Sequence, residues 1–550
     1  MQKPLFRTSH TCLLFCLLFA CQPKDRYGDQ SILRINLPDL NSVDPAFARS
    51  IDNVNACKQL FDGLVELDDE LNLKPSIARS WEIKDSARTY RFILRDDVYY
   101  HPNKKVFGED SSRTVKASDF VYSFNRLIEK EILSPGKWVM NKVKRREDGS
   151  LDITAINDTV LEIRLSEAFP AFMGILSMQY CSVVPPEALE TEGFDFLDHP
   201  LGTGAFKFKY WKKSGKLVLL KHSDYFQKDA SAEQLPYLDA ISISFIRDQE
   251  VVFLNFLKGE LDFISGLKGS YKDELLDQSG ALRAEYKDKL EFVKLPYLNT
   301  EYLGFQLDSD SIQAATAIQS KDLRKAISYA IDKEKMLKYL RNDIGTPAYA
   351  GFIPIGLTAF DKEAKYGYSY DLDSSEFYFN RFNQKHQWNA EEEPIILGTT
   401  SEYMDICEFI QHQLNERGIK VKIEVNPPAT NNELIAFGKL PTFRKSWVAD
   451  YPDAENYLSL FLSRNFSPSG PNYTHFSSST YDSLFSVALQ LDDEAKRNVY
   501  YRRLDSMIMA EVAVLPLFYD QQVHFISPNI SNFRVNPMNH LMLKYAKKLP

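Results

Sequence analysis

A chain of 550 residues is too long for a single hydrophobic core and divides into roughly two to four domains. Apolar residues at 44% and charged residues at 26% are an ordinary globular mixture, and aromatics reach 13%, enough to line pockets as well as cores. The net charge of −9 argues against a nucleic-acid partner, since Lys212-Lys213 and Lys142 to Arg146 are too short to make a basic face.

The N-terminus carries the clearest local signal. Lys3 and Arg7 precede an apolar run, Thr11 to Ala20, too short to span a bilayer but suited to a signal peptide. It closes with Leu18-Phe19-Ala20-Cys21, which resembles a bacterial lipobox. Residues 1–20 are therefore expected to be removed and Cys21 to carry lipid, with a polar tether over 21–30. An ordinary signal peptide cut near Ala20 is the alternative. No later apolar run is long enough to cross a membrane, so the remainder is expected outside the cytoplasm, anchored only by that lipid. Cys57, Cys181 and Cys407 are too widely spaced for a zinc site or a disulfide framework; buried thiols are expected, with one disulfide left open.

Ile32 to Leu37 predicts a strand, and Val54, Cys57, Phe61 and Leu64 mark a helical face. Asp68 to Glu70 signals a turn. Thr89 to Arg95 alternates as a strand, and Ala117-Ser118-Asp119 opens a helix bearing Phe120, Val121, Phe124, Leu127 and Ile128. Leu151 to Leu165 reads as two strands around Asn157-Asp158. Gly202-Thr203-Gly204 reads as a turn, since it lacks the further glycine and lysine of a phosphate loop. Lys216 to Lys221 and Ile241 to Ile246 are strands, and Val251 to Leu257 is helical. After a composition change at Lys294 to Asn299, helices follow over Lys321 to Ile331, with Ser320 as N-cap, and after Asp332. Pro394 to Gly398 is a strand. A helix with Tyr403, Ile406, Ile410 and Leu414 ends near Gly418, and Ile419 to Val425 alternates as a strand, giving a βαβ unit and a parallel sheet. Thr442 to Tyr457 starts as the next strand and stops at a turn holding Trp447, Asp450 and Pro452. A helix over Ala495 to Val512 precedes strands at Leu515 to Tyr519 and His524 to Ile526. The order implies two or more lobes with a cleft between them.

Catalytic motifs are missing from the sequence. There is no His-Glu-x-x-His, Gly-x-Ser-x-Gly or Cys-x-x-Cys, and the nine histidines are scattered; neither cofactor nor metal is expected. With 75 acidic residues a cleft pair could act as a glycosidase, but nothing selects one. Asp450 beside Trp447 at a strand end could hold a cation, although acidic residues before proline also simply make turns.

Several blocks resemble, in order, the extracellular solute-binding proteins of family 5, the oligopeptide- and dipeptide-binding components of ABC importers. They are Lys74-Pro75-Ser76-Ile77-Ala78-Arg79-Ser80-Trp81, Val115 to Ser123, Gly202-Thr203-Gly204-Ala205-Phe206, Gly259-Glu260-Leu261-Asp262 and Leu323 to Asp332. The resemblance implies an α/β, periplasmic-binding-protein-like fold of the type II, large three-domain form, with two lobes, a hinge and an interlobe ligand cleft. Domain I would be discontinuous (31–66, 197–296 and 511–550), domain II an insertion (67–196), and domain III residues 297–510. The hinge would lie near Leu295 to Asn299 and Glu511 to Phe518. The family's ammonium-binding Asp, a few residues after a Trp, matches Asp450 after Trp447. Ser446, Val448 and Ile51 match positions that lend backbone groups to a peptide, and Arg444 an arginine that meets a ligand carboxylate. Trp138 falls near an aromatic of domain II. Arg49 departs from the acidic residue of the related branch, which leaves ligand charge preference open. The implied partners are a peptide, the ABC permease and ATPase, and the membrane through the anchor; no nucleic acid is implied, and a monomer is expected. Other solutes on the same fold (oligosaccharides, murein peptides, metal chelates) and a signalling lipoprotein stay open.

Overall fold

The computed structural model describes residues 30–213, 215–266, 271–308 and 317–549; the signal segment and Cys21 lie outside them. Three sheets organise the described residues. Strand Ile32–Asn36 pairs in parallel with Ala240–Ser244, which continues antiparallel through Lys216–Lys221 to Phe206–Lys212. Its alternating side chains, Leu33 and Ile35 buried against Leu217, Leu219, Ile241 and Ile243, form the first core. A second four-stranded antiparallel sheet has the order Ala78–Lys84, Thr89–Leu94, Val160–Arg164, Ile153–Asn157. The helix Ala117–Arg126 lies in sequence between its first two and last two strands and buries Phe120 and Phe124.

The third sheet is mixed and seven-stranded. At one end Ile395–Thr399 runs parallel to Val421–Val425, with helix Met404–Asn415 between them in sequence, as the βαβ pattern predicts. Thr442–Val448 joins on the other side of Ile395–Thr399, also in parallel. It then pairs antiparallel with Glu291–Phe305, so that Asn299 faces Val448 and Thr300 faces Trp447. Glu291–Phe305 pairs in turn along Val514–Ile526, which reaches Phe263–Ser265 at the far edge. Two long strands thus link the region of the first core to the region of the βαβ unit. Their pairing shifts register twice, and the larger break lies near the middle: Pro296 faces Gln521 but Thr300 faces Tyr519, so Tyr297, Leu298 and Asn299 bulge opposite Asp520. Proline lacks an N–H to donate to the ladder, and a bulge bends a strand locally.

Some boundaries differ from the sequence reading. The first helix spans Ile51–Leu60 and stops before Phe61 and Leu64. The Leu60 carbonyl accepts the Gly204 N–H at 2.9 Å. Gly202 and Gly204 lie so close to the Leu60 and Phe61 backbone and ring that a Cβ at either would collide. The glycine pair is therefore a packing device at a helix end. Val514–Ile526 is one strand rather than two, because Asp520, Gln521 and Gln522 keep the extended backbone despite their polarity. Ser320 stands at its helix N-cap without a capping side-chain bond, whereas Asp332 accepts the Lys335 N–H at 2.9 Å. Cys57, Cys181 and Cys407 are buried free thiols. No helix among the described residues is long and apolar enough to cross a membrane, and no group of three or more His, Cys, Asp or Glu among them could hold a metal.

Candidate ligand-binding cleft

Residues far apart in sequence meet around a cavity of about 680 Å³. Arg49, Ile51 and Val54 come from the first helix and the turn before it, with Met538 and His540 from near the C-terminus. Trp138 and Tyr180 come from the segment carrying the second sheet. Tyr297 comes from the bulge and Val448, Ala449 and Asp450 from the end of Thr442–Val448. The side chains of Ile51 and Val448 remain 37% and 40% exposed, so two apolar groups face cleft water. Behind the wall, the ring of Trp138 stands 6.3 Å from that of buried Tyr451.

The strand presents Asp450 because it ends there. Ala449 still donates to Leu298 O at 2.9 Å; beyond it the chain turns at Pro452 into the helical turn Glu455–Leu458. The first full turn returns Asn456, 5% exposed, beneath the strand end. Its Oδ1 accepts from Trp447 Nε1 at 2.9 Å and from the Asp450 N–H at 3.2 Å, and its Nδ2 donates to Asp450 Oδ2 at 3.3 Å. One amide therefore orients both the carboxylate and the indole. Crowding by the surrounding walls raises the Asp450 pKa above its ordinary 3.8, and the Asn456 bond opposes that shift. The carboxylate itself is still open to cleft water, so that shift belongs to crowding rather than to full burial. Among the described residues no cation pairs with Asp450.

The six predicted residues separate into three groups. Ile51, Val448 and Asp450 line the cavity. Trp447 and Ser446 lie just behind it in the strand, Trp447 packed against the large core through its ring. Arg444 lies elsewhere: 8% exposed, it forms an ion pair with buried Glu301 on the neighbouring strand, and its guanidinium carbon sits 3.1 Å from the centroid of the Tyr403 ring. Burial opposes its charge, but Glu301 and Tyr403 outweigh it and hold the Arg444 pKa above the usual arginine value. Trp138 and Arg49, considered in the sequence without being assigned a role, do face the cavity. Asn456, Tyr180 and Tyr297 carried no signal, because no spacing rule relates a residue to a carboxylate six positions earlier across a turn.

The cleft can offer a carboxylate and apolar walls to a small solute, and it lies within the size range of ligand pockets. The model of the bacterial extracellular solute-binding proteins, family 5 (middle part), matches residues 72–468. The chain belongs to family 5. At 24% identity over 543 residues this family 5 protein resembles the dipeptide-binding protein DppE of Bacillus subtilis, with 95% of this chain and 92% of the relative aligned. It resembles the periplasmic oligopeptide-binding protein OppA of Escherichia coli K12 at 24% over 530 residues, covering 92% and 90%. Its fold matches that of DppA from Helicobacter pylori, solved in complex with the peptide STSA, at TM-score 0.72 and 21% identity, over 95% of this chain and 98% of the other. At that identity the match speaks for the fold, an α/β periplasmic-binding-protein architecture with mixed sheets. All three are named as binding proteins.

Proposed function

We propose that this family 5 protein captures peptides with a free α-amino group and delivers them to an ABC-type importer, anchored outside the cytoplasm through lipid on Cys21. In this reading domains I and II (31–66, 197–296, 511–550 and the insertion 67–196) form one lobe and 297–510 the other, and the lobes close about the bulge at Tyr297 to Asn299. The observation that carries it is Asp450: a carboxylate on the cavity wall, fixed by Asn456 and unpaired by any described cation. An α-ammonium placed there would complete a charge-assisted bond, while Val448 and Ile51 offer backbone groups to an extended peptide as an added strand does. The names of DppE and OppA, a dipeptide and an oligopeptide binder, favour the same ligand class.

Mass spectrometry of solutes released from the purified protein identifies the ligand. Calorimetry on Asp450→Ala then tests the contact. Removing one partner of an ion pair enclosed by the lobes costs on the order of 3–5 kcal/mol, so affinity for free-amine peptides falls by roughly a hundredfold or more, and that for their N-acetylated forms far less. Equal loss for both, or none, refutes the assignment. Intact-mass analysis of membrane-extracted protein tests the anchor: a diacyl or triacyl adduct on Cys21 is expected, and an unmodified N-terminus refutes it.

A further inference from the structure

We propose that Arg49 recognises a carboxylate of the bound solute, so that the cleft selects ligands carrying both an ammonium and a carboxylate. This rests on the peptide reading above and adds to it the group that fixes the ligand's negative end.

Arg49 lines the same cavity as Asp450 but comes from a distant part of the chain, the turn just before the helix Ile51–Leu60. Its side chain is exposed, and among the described residues no acidic side chain lies within ion-pair distance of it. The nearby acidic groups have other arrangements. Asp44 is taken by Arg126 at 2.6 Å, and Asp52 accepts the Asp39 N–H at 2.8 Å. The Tyr180 hydroxyl lies in the field of both cleft charges: its pKa is pushed up to about 12, by burial first and by Asp450 next, with Arg49 opposing the rise. One anion and one cation thus flank the same stretch of wall, each without a partner of opposite charge on its own side.

Closing water out of such a cleft penalises both charges unless each meets its complement. A ligand with only an ammonium satisfies Asp450 and leaves Arg49 stranded. A zwitterion satisfies both, and the planar guanidinium fork suits a carboxylate in particular. That carboxylate can be the peptide C-terminus or an acidic side chain, and the chemistry at Arg49 is the same.

The test uses the full mature chain and calorimetry with trialanine and tetraalanine, each as free acid and as C-terminal amide, together with the two amides carrying Glu in place of one Ala. The wild type is expected to prefer a carboxylate-bearing form by about tenfold or more, the scale of one charge-assisted bond. Arg49→Gln removes that preference by weakening the carboxylate-bearing form, while the plain amide, relieved of a stranded charge, binds no more weakly than before; Arg49→Lys, which keeps charge but not the fork, retains part of the preference. If the free acids carry the effect, the ligand's C-terminus is the source. If the Glu-bearing amides carry it, the source is the side chain. Equal weakening of acids and amides by Arg49→Gln, or no weakening of either, overturns the proposal while leaving the Asp450 contact intact. A wild type that binds none of these peptides overturns the peptide reading and this inference together.

Discussion

Asn456 offers the sharpest test of how the cleft is built. Replacing it by alanine removes an amide that is 5% exposed and makes three hydrogen bonds: to the Trp447 indole, to the Asp450 backbone and to the Asp450 carboxylate. The first two are neutral and together contribute about 2 kcal/mol to the fold. The third is charge-assisted, but at 3.3 Å it is long, which places it near the lower end of its class, about 1.5 kcal/mol. Only this third bond, with the orientation it gives the carboxylate, bears on an incoming ammonium. Affinity for free-amine trialanine should therefore fall about tenfold, whereas an N-acetylated peptide should lose no more than about twofold. Because Asn456 acts through Asp450, the two substitutions should not add. Calorimetry on Asn456→Ala, Asp450→Ala and the double variant closes a thermodynamic cycle, and in the Asp450→Ala background the Asn456 change should cost almost nothing. Full additivity, or an equal effect on acetylated and free peptides, would show that Asn456 does not position Asp450 for the ligand.

Two further outcomes follow from the same geometry. The Asp450 pKa is raised above 3.8 in the unliganded chain and an ammonium lowers it, so peptide affinity should weaken as pH falls from neutrality through the raised value; in Asp450→Asn titrations by calorimetry this slope should vanish. Arg444→Met should lower the urea midpoint markedly, since leaving Glu301 buried and unpaired costs about 3–5 kcal/mol, and Glu301→Leu in the same chain should restore much of it; peptide affinity should stay within about threefold, and a selective loss for carboxylate-bearing peptides would instead place Arg444 at the ligand.

Much of this fold was legible because its signals are local. The βαβ unit showed in the stripe Ile406, Ile410 and Leu414 followed by the alternation from Ile419, since both periodicities follow from one-sided burial. The sequence pattern divides Val514–Ile526 into two strands because Asp520, Gln521 and Gln522 look like a turn. Their extended backbone is held by the neighbouring strand, a long-range cause that the sequence does not print. The cleft was legible in part. Asp450 was reached through the ordered family blocks, its own surroundings being equally those of a turn, and the turn reading holds as well, since Pro452 and Asn456 form that turn and fix the carboxylate. Arg444 shows the opposite case. Strand alternation puts Arg444 on the same face as Val448, but four residues further back, where Glu301 of the neighbouring strand and the Tyr403 ring engage it; both partners come from distant parts of the chain and are invisible without the third dimension.

The raised Asp450 pKa also bears on how such a clamp would discriminate. Bringing the lobes together removes water from a carboxylate that crowding already disfavours, so closing over an empty cavity costs free energy at Asp450 and again at Arg49. An ammonium at the first and a carboxylate at the second remove both costs, and both contacts are fully made only when the lobes meet. A ligand shifts an equilibrium only by its differential affinity for the two states, and here that difference is concentrated in two charges rather than in the apolar walls of Ile51 and Val448. The walls can then be tolerant of side chains while the charges decide whether closure occurs, which on the proposed reading is the property an importer's receptor needs: broad in sequence, strict about a zwitterion.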